Sequence, residues 1–240
     1  MKTVLITGAS RGLGRALVNE LNERNYQVIA SARNSHDLND LQAFQKISLD
    51  IGNDDSVLKA VETIKEVNLI INNAAVTISG PIEAIDINAA QEVFNVNFFG
   101  ALRIFQAFTP IMRAKGQGLM VNISSGTAQQ SPPLQGIYAA SKAAFDRLCE
   151  AYRIEVRPFG ISVMQLHSTG IATQMRKEQT IFTNEYYAEI TERVKQMEQH
   201  MAGVSPEILA KVIANNIERR PLATFVRAQD LMAEIKAIYT

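Results

Sequence analysis

Short apolar runs alternate along the chain with longer stretches in which apolar residues recur every three or four positions. Such runs are typical of strands buried on both faces, and such stretches are typical of amphipathic helices. We predict strands over residues 2–7, 26–31, 44–49, 68–72, 118–124, 160–166 and 222–228. We predict helices over residues 13–24, 55–67, 89–114 and 143–156. This alternation predicts a doubly wound α/β fold with a parallel sheet, which binds ligands at the carboxyl ends of its strands.

The least regular part of the chain is roughly residues 174–205. A helix is predicted to begin near its end, where Ser205 can cap the helix and Pro206 fits the first turn. Apolar and aromatic side chains indicate a substrate lid here, with an ordinary surface helix as the alternative. They are Met175, Phe182, Tyr186, Tyr187, Met197 and Met201. Because no linker or internal repeat interrupts the sequence, residues 1–240 are predicted to form a single domain.

Composition and charge exclude several classes of protein. With 47% hydrophobic and 20% charged residues, the chain is expected to be globular. Its 24 basic and 24 acidic residues cancel, so we expect neither nucleic acid nor an anionic membrane as a partner. No stretch is long and apolar enough for a signal peptide or a membrane span, and the single cysteine, Cys149, excludes an internal disulfide. The expected localisation is therefore cytoplasmic.

The first predicted strand runs directly into a glycine-rich turn, "TGASRGLG", that opens a helix. Its glycines, Gly8, Gly12 and Gly14, permit a tight turn and a close backbone approach to a pyrophosphate. The N-terminus of the helix attracts the phosphates with its unpaired N–H groups. The spacing G-x-x-x-G-x-G differs from the general G-x-G-x-x-G fingerprint. Its position between a strand and a helix predicts dinucleotide binding.

The end of the second predicted strand indicates which dinucleotide is bound. An NAD site is expected to have an acid there, which binds the ribose 2′-hydroxyl. This chain has Ser31 and Ala32 instead, followed by Arg33, and Arg11 lies inside the glycine turn. Two guanidinium groups without a carboxylate suit the 2′-phosphate of NADP(H), unless both arginines are solvated surface residues.

The stretch "YAASK" places a phenol and an amine four residues apart. On a helix, Tyr138 and Lys142 would lie one turn apart on the same face, with small alanines around them. A free phenol has a pKa near 10, which is too high for a base at neutral pH, and a nearby cation would lower it. The spacing therefore suits acid–base catalysis, although it also occurs in helices by chance.

Polar residues close several apolar strands, where they would face a ligand at the edge of the sheet. They are Asp50, Asn73, Ser124 and Ser125, and Asn97 follows in "NVNFFG". Each could instead cap a helix or form a turn. Taken in order, "TGASRGLG", "NNAA", "NVNFFG", "NISSG", "YAASK" and "TGIAT" resemble the short-chain dehydrogenase/reductase family over nearly the whole chain. The resemblance implies a single-domain, Rossmann-like enzyme that oxidises alcohols or reduces carbonyl groups with a nicotinamide cofactor.

The resemblance also implies roles for individual residues. Ser125 would polarise the substrate oxygen, Tyr138 would be the acid and base, Lys142 would hold the ribose, and Asn97 would anchor a relay water. The implied cofactor-binding residues are Gly8, Ser10, Arg11, Gly12, Leu13, Gly14, Arg33, Asp50, Ile51, Asn73, Ala74, Tyr138, Lys142, Gly170, Ile171 and Thr173. Two positions depart from the usual family pattern, with Ala75 in place of Gly and Thr169-Gly170 in place of Pro-Gly.

The sequence also bears on the substrate, the assembly and the alternative functions. "NNAAVTISGPIEA" and "AYRIEVRPFGISV" look most like the branch that acts on apolar alcohols, and the family commonly forms homodimers or homotetramers. The three histidines lack metal-ligand spacing and are expected to be ordinary buried or surface residues, although His167, just before the cofactor segment, could reach the substrate. A catalytically idle NADP(H)-binding regulator is the first alternative. An epimerase or dehydratase would need a larger C-terminal domain.

Overall fold

The computed structural model describes residues 1–168, 179–200, 203–219, 222 and 224–239. The strands are β1 (Thr3–Ile6), β2 (Gln27–Ala32), β3 (Gln45–Ser48), β4 (Leu69–Asn72), β5 (Ile78–Ser79), β6 (Gly118–Ser125), β7 (Ile161–Ser168), β8 (Thr180–Ile181) and β9 (Phe225–Val226). The α-helices are α1 (Gly12–Glu23), α2 (Asp54–Thr63), α3 (Ile87–Phe94), α4 (Ala101–Lys115), α5 (Gly136–Val156), α6 (Ala188–His200), α7 (Pro206–Glu218) and α8 (Ala228–Tyr239).

Within the described residues, seven parallel strands form one sheet in the order β3-β2-β1-β4-β6-β7-β9. Val4 of β1 is in register with Val28 on one side and Leu69 on the other. The direction of winding reverses between β1 and β4, and α/β folds bind their ligands in the crevice at such a point. The predicted doubly wound, Rossmann-like fold is confirmed.

Helices cover both faces of this sheet, which explains the nearly continuous apolar runs of its strands. Successive side chains of a strand point to opposite faces. Val4 thus packs in one core with α1, α7 and α8, whereas Leu5 packs in the other with α2, α4 and α5. The second core contains the large aromatic residues Phe105 and Phe145, whose rings stack at 6.5 Å.

The stretch predicted as one helix over residues 89–114 is interrupted. A π-helical segment, Asn95–Gly100, separates α3 from α4. This wider turn brings Gly100 so close to Ile51 that a Cβ atom on it would lie 2.8 Å from Ile51 Cγ1. Apolar periodicity does not distinguish such a π segment from an α-helix, and π segments often occur at functional sites. Other boundaries differ as well. Helix α2 ends four residues earlier than predicted, α5 begins seven residues earlier, and the last described strand has only two residues.

The described part of the predicted lid docks beside the strand ends. Strand β8 pairs in parallel with β5, and Phe182 packs against the small apolar cluster around Ile78, Ile85 and Val93. Tyr186 and Met197, however, are 82% and 62% exposed. The mobility of this segment stays a prediction, and its members Met175 and Met201 lie outside the described residues. No helix in the described ranges is long and apolar enough to cross a membrane.

Candidate active site

A cleft of about 590 Å³ opens at the carboxyl ends of β1, β2, β4 and β6. Among the residues that the structure describes, every one predicted to bind the cofactor lines this cleft. These are Gly8, Ser10, Arg11, Gly12, Leu13, Gly14, Arg33, Asp50, Ile51, Asn73, Ala74, Tyr138 and Lys142. Gly170, Ile171 and Thr173, as well as the departure at Thr169, lie outside the described residues. The sequence motifs thus converge on one site.

The glycine-rich turn has the close packing that its glycines allow. Gly8 has φ +68°, in the left-handed region, and a Cβ on it would lie 2.8 Å from the Cα of Ala74. A Cβ on Gly14 would lie 2.1 Å from the carbonyl oxygen of Gly8. The side-chain amide of Asn73 donates to the carbonyl oxygens of Thr7 and Gly8 at 3.0 and 3.1 Å. Asn73 therefore braces the turn.

Helix α1 begins at the cleft with Arg11 as its N-cap residue. No side chain caps this end, and its first turn contains no acidic residue. Backbone N–H groups at the start of a helix lack intrahelical partners, and the helix dipole adds positive potential there. This end therefore fits the pyrophosphate of a dinucleotide.

Other predicted cofactor residues have structural partners of their own. Asp50 Oδ1 accepts a hydrogen bond from the backbone N–H of Gly52 at 2.9 Å, which shapes the turn after β3. Ala75 also lines the cleft, and it does not adopt the left-handed conformation that would require glycine. The alanine at this position is therefore compatible with the backbone.

Arg33 lines the cleft directly after β2, and Arg11 lines it from the glycine-rich turn. Arg33 is exposed and Ala32 is buried, whereas the Ser31 hydroxyl donates to the carbonyl oxygen of Ile6 at 3.0 Å. Asp37 also lines the cleft, which the sequence reading missed. It opposes the positive charge of this end.

Tyr138 and Lys142 lie one turn apart in α5 and line the same cleft. The Lys142 side chain is buried, its Nζ lies 6.0 Å from the centroid of the Tyr138 ring, and it donates to the carbonyl oxygen of Ile123 at 3.1 Å. Burial lowers the pKa of Lys142 to about 8, while the charge of Asp146 and a smaller effect of Cys149 oppose this change. The cleft thus holds an amine that loses its proton more readily than a solvated lysine does.

The two serines of "NISSG" have different surroundings. The hydroxyl of Ser124 donates to Asp146 Oδ1. Ser125 Oγ accepts from the backbone N–H and the hydroxyl of Thr127 at 3.2 and 2.9 Å. A hydroxyl has two lone pairs and one hydrogen, so Ser125 keeps its own hydrogen for another acceptor. Ser124 lines the cleft, whereas Ser125 is not among the lining residues.

The side chain of Asn97 is buried and almost fully occupied. Its Oδ1 accepts from the backbone N–H of Val76 at 2.9 Å. Its Nδ2 donates to the Val76 carbonyl oxygen and to Ser141 Oγ, both at 2.9 Å. These bonds tie the π segment to α5 and to the strand end after β4. One acceptor lone pair of the amide is left for a water.

His167 does not reach the cleft. It is 1% exposed in β7, and its Nε2 lies 2.8 Å from Asp146 Oδ2. Sequence reasoning missed Asp146, although its spacing of four from Lys142 places an acid on the same helix face. The partner on β7 gives no local signal in the sequence.

Comparisons with known proteins show the family of the chain. The family model for short chain dehydrogenases matches residues 2–183. Short-chain dehydrogenase PC-15 of Penicillium crustosum is 35% identical over 183 residues, which cover 72% of this chain and 67% of that protein. Retinol dehydrogenase 8 of Bos taurus is 30% identical over 242 residues, which cover 90% of this chain and 78% of that protein. A short-chain dehydrogenase from Burkholderia cenocepacia J2315, solved in complex with NADP, superposes with a TM-score of 0.79 at 28% identity. The superposition covers 100% of this chain and 98% of that chain.

Fold and site together define a dinucleotide-binding oxidoreductase. The chain belongs to the short-chain dehydrogenase/reductase family, whose enzymes use nicotinamide cofactors and act on alcohol or carbonyl groups.

Proposed function

We propose that this protein is an NADP(H)-dependent oxidoreductase that interconverts a carbonyl group and an alcohol, with Tyr138 as the acid and base. The observation that carries the proposal is the buried Lys142 amine beside Tyr138 in the cleft that also holds the glycine-rich turn. A bound nicotinamide supplies the hydride, whereas the protein must supply the proton and the orientation.

The residues of the site have separate tasks in this reaction. Tyr138 donates a proton to the carbonyl oxygen during reduction and accepts it back during oxidation. Protonated Lys142 stabilises the phenolate that is left, because an opposite charge nearby favours the ionised form. Ser125 directs its remaining hydrogen at the substrate oxygen, which increases the polarisation of the carbonyl. To restore the phenol, Lys142 passes a proton to the phenolate, and a water on the remaining lone pair of Asn97 then replaces the proton that Lys142 has given up.

Tyr138→Phe tests this assignment. We expect turnover to be lost while NADPH binding, followed by its fluorescence, stays within a few-fold of the parent. Lys142→Ala should impair both, since Lys142 is also proposed to hold the ribose. A Tyr138→Phe variant that kept most of its activity would refute the role of the phenol. A parent that binds NADPH but reduces none of a broad panel of ketones, aldehydes and quinones would favour the idle regulator.

Three features support NADP(H) as the cofactor. Arg33 and Arg11 line the cleft, no acid stands at Ala32, and the Burkholderia relative was solved with NADP. Each hydrogen bond to a charged group contributes about 1.5–3 kcal/mol. Two or three such bonds, reduced by the opposing charge of Asp37, would give a preference of about 3 kcal/mol, which is roughly a hundredfold.

The cofactor preference is tested by reversing it. Ala32→Asp sets a carboxylate against the 2′-phosphate and offers the NAD ribose an acceptor, and Arg33→Ala removes the phosphate contact. We expect the double variant to prefer NADH in kcat/KM, whereas Arg33→Ala alone should weaken the use of NADPH and leave NADH nearly unchanged. Equal use of both cofactors by the parent would contradict the assignment of Arg33 and Arg11.

Apolar side chains near the start of α5 support an apolar substrate. Ile82 is 74% exposed, and its side chain lies beside Gly136, two residues before Tyr138. Phe182 of the lid is only partly buried at the same side. Burial of one CH₂ group is worth about 0.8 kcal/mol, or roughly fourfold in affinity. Along a series of straight-chain aldehydes, kcat/KM should rise by up to about this factor per carbon, and a flat series would contradict an apolar pocket.

A further inference from the structure

A buried polar network is centred on Asp146, the residue one helical turn after Lys142. Asp146 follows Lys142 by one helical turn in α5 and is 4% exposed. Its Oδ1 accepts a hydrogen bond from the hydroxyl of Ser124 in β6, and its Oδ2 lies 2.8 Å from Nε2 of His167 in β7. The Ser168 hydroxyl also donates to the carbonyl oxygen of Ser124, at 3.0 Å. Both carboxylate oxygens of Asp146 are therefore held by adjacent strands of the sheet.

His167 reaches Asp146 through one nitrogen of its ring. Its Nε2 must carry the hydrogen that is donated to Asp146, because a carboxylate only accepts. Its Nδ1 is buried and has no hydrogen-bond partner among the described residues. The ring also packs edge-on against Phe225 at 4.6 Å.

The network does not have the order of a nucleophilic triad. Such a triad has a histidine between the serine and the carboxylate, so that the imidazole takes the hydroxyl proton. Here the carboxylate of Asp146 stands between Ser124 and His167. Among the described residues, the Ser124 hydroxyl is hydrogen-bonded to no base other than this carboxylate. The three residues therefore hold a charge in place and do not activate a nucleophile.

The charge that they hold lies one helical turn from Lys142 in α5. Around the Lys142 amine lie the Ile123 carbonyl oxygen at 3.1 Å and the ring centroids of Phe145 and Tyr138 at 5.4 and 6.0 Å. Asp146 and Cys149 of α5 act on the amine electrostatically. Burial raises the pKa of the Cys149 thiol well above its ordinary value, so the thiol stays neutral. His167 reaches the cluster only through Asp146. Asp146 is thus the anion that offsets the burial of the lysine.

We propose that Asp146, fixed by Ser124 and His167, is the counter-charge that keeps Lys142 protonated in the working enzyme. Asp146 is a positioning residue, since it touches neither the cleft nor the reacting atoms. The proposal rests on the proposed function for its catalytic consequence, but not for its effect on Lys142. Without the anion, the buried amine would lose its proton at a lower pH and no longer support the Tyr138 phenolate.

The direct test follows Lys142 itself. In protein labelled with ¹³C at the lysine Cε positions, the Lys142 resonance is assigned by its loss in Lys142→Gln and then titrated with pH. Asp146→Asn should lower the midpoint of this titration by about one unit or more, as expected for the loss of a nearby opposite charge. Glu150→Gln is the matched control, because it removes an acid one turn further along α5 that is paired with Arg147 at the surface. It should leave the midpoint unchanged.

Further variants separate charge from packing. Ser124→Ala removes a hydrogen bond of the network but keeps the carboxylate, so the Lys142 midpoint should not fall. A fall as large as in Asp146→Asn would overturn the proposal, as would an unchanged midpoint in Asp146→Asn. If the asparagine amide meets the His167 donor and prevents folding, Asp146→Ser removes the charge without that conflict. It should lower the midpoint equally.

Kinetics connect the network to the reaction. In Asp146→Asn, the loss of NADPH affinity at alkaline pH should move to lower pH by the same interval as the Lys142 midpoint. The pH profile of kcat should move to lower pH by the same interval. If neither parent nor variant binds NADPH, the proposed function fails while the titration still decides the role of Asp146.

Discussion

Lys142→Met should stabilise the protein while destroying its activity. Burial holds the pKa of Lys142 at about 8, compared with an ordinary value of 10.5. At 1.36 kcal/mol per unit, keeping the amine protonated in the folded protein costs up to about 3 kcal/mol at neutral pH. Methionine has a similar length and carries no charge, so the substitution removes this cost.

The pH dependence identifies the cause. Between pH 8 and 10.5 the unfolded chain keeps a proton that folded Lys142 has lost, so the stability of the parent rises with pH over this interval. The stability gap between Lys142→Met and the parent should therefore be largest below pH 8 and close towards pH 10.5. At pH 7 the relief of the desolvation cost should contribute on the order of 3 kcal/mol to this gap. The lost hydrogen bond to Ile123 should reduce the gap by about 1 kcal/mol.

Urea unfolding followed by circular dichroism, at several pH values between 7 and 10, measures this gap. Lys59→Met is a suitable control, because Lys59 is an exposed residue of α2 and should show almost no gap at any pH. A gap of the same size at pH 7 and pH 10 would show that packing, and not charge, is responsible. A variant less stable than the parent at pH 7 would refute the reasoning.

Other predictions concern the cofactor end, the lid and assembly. Asp37→Asn should raise kcat/KM for NADPH by up to about fivefold, since exposed charge pairs are worth about 0.2–1 kcal/mol; no change would place Asp37 away from the phosphate. Hydrogen exchange over residues 174–205 should slow when NADPH and a substrate analogue bind, and unchanged protection would exclude a lid. Sedimentation at micromolar concentration should show a homodimer or homotetramer joined through α4 and α5. Phe99, just before α4, and Ile154, in α5, are 48% and 67% exposed and would be covered in such an assembly. A monomer would contradict this prediction.

Local chemistry explains which parts of the site were predictable. The glycine-rich turn and the pair Tyr138 and Lys142 each lie within a few residues of one another, so their geometry follows from one turn or one helix. The parallel sheet was predictable because burial on both faces makes its strands apolar throughout. Arg33 and Asp50 followed from their places at strand ends.

Features that depend on contacts between distant elements were not predictable. The π segment arises where Asn97 bonds to the backbone of Val76 and to Ser141, which no periodicity reveals. Asp146 and His167 are brought together only when α5 packs on β7. Residues of a strand alternate between its faces, so Ser124 and Ser125 point in opposite directions, but the sequence alone does not fix which one faces α5.

The buried network gives a physical reason why a costly lysine is retained in the core of the site. A lysine that was fully solvated would keep its proton at neutral pH, but water would weaken its field at the phenol. A lysine buried without a counter-charge would lose its proton and supply no field. Lys142 lies between these limits, because burial lowers its pKa to about 8 while Asp146 opposes the change. Proton transfer is most efficient when donor and acceptor titrate near the working pH. In the proposed reaction, a balance that destabilises the fold is therefore the one that suits catalysis.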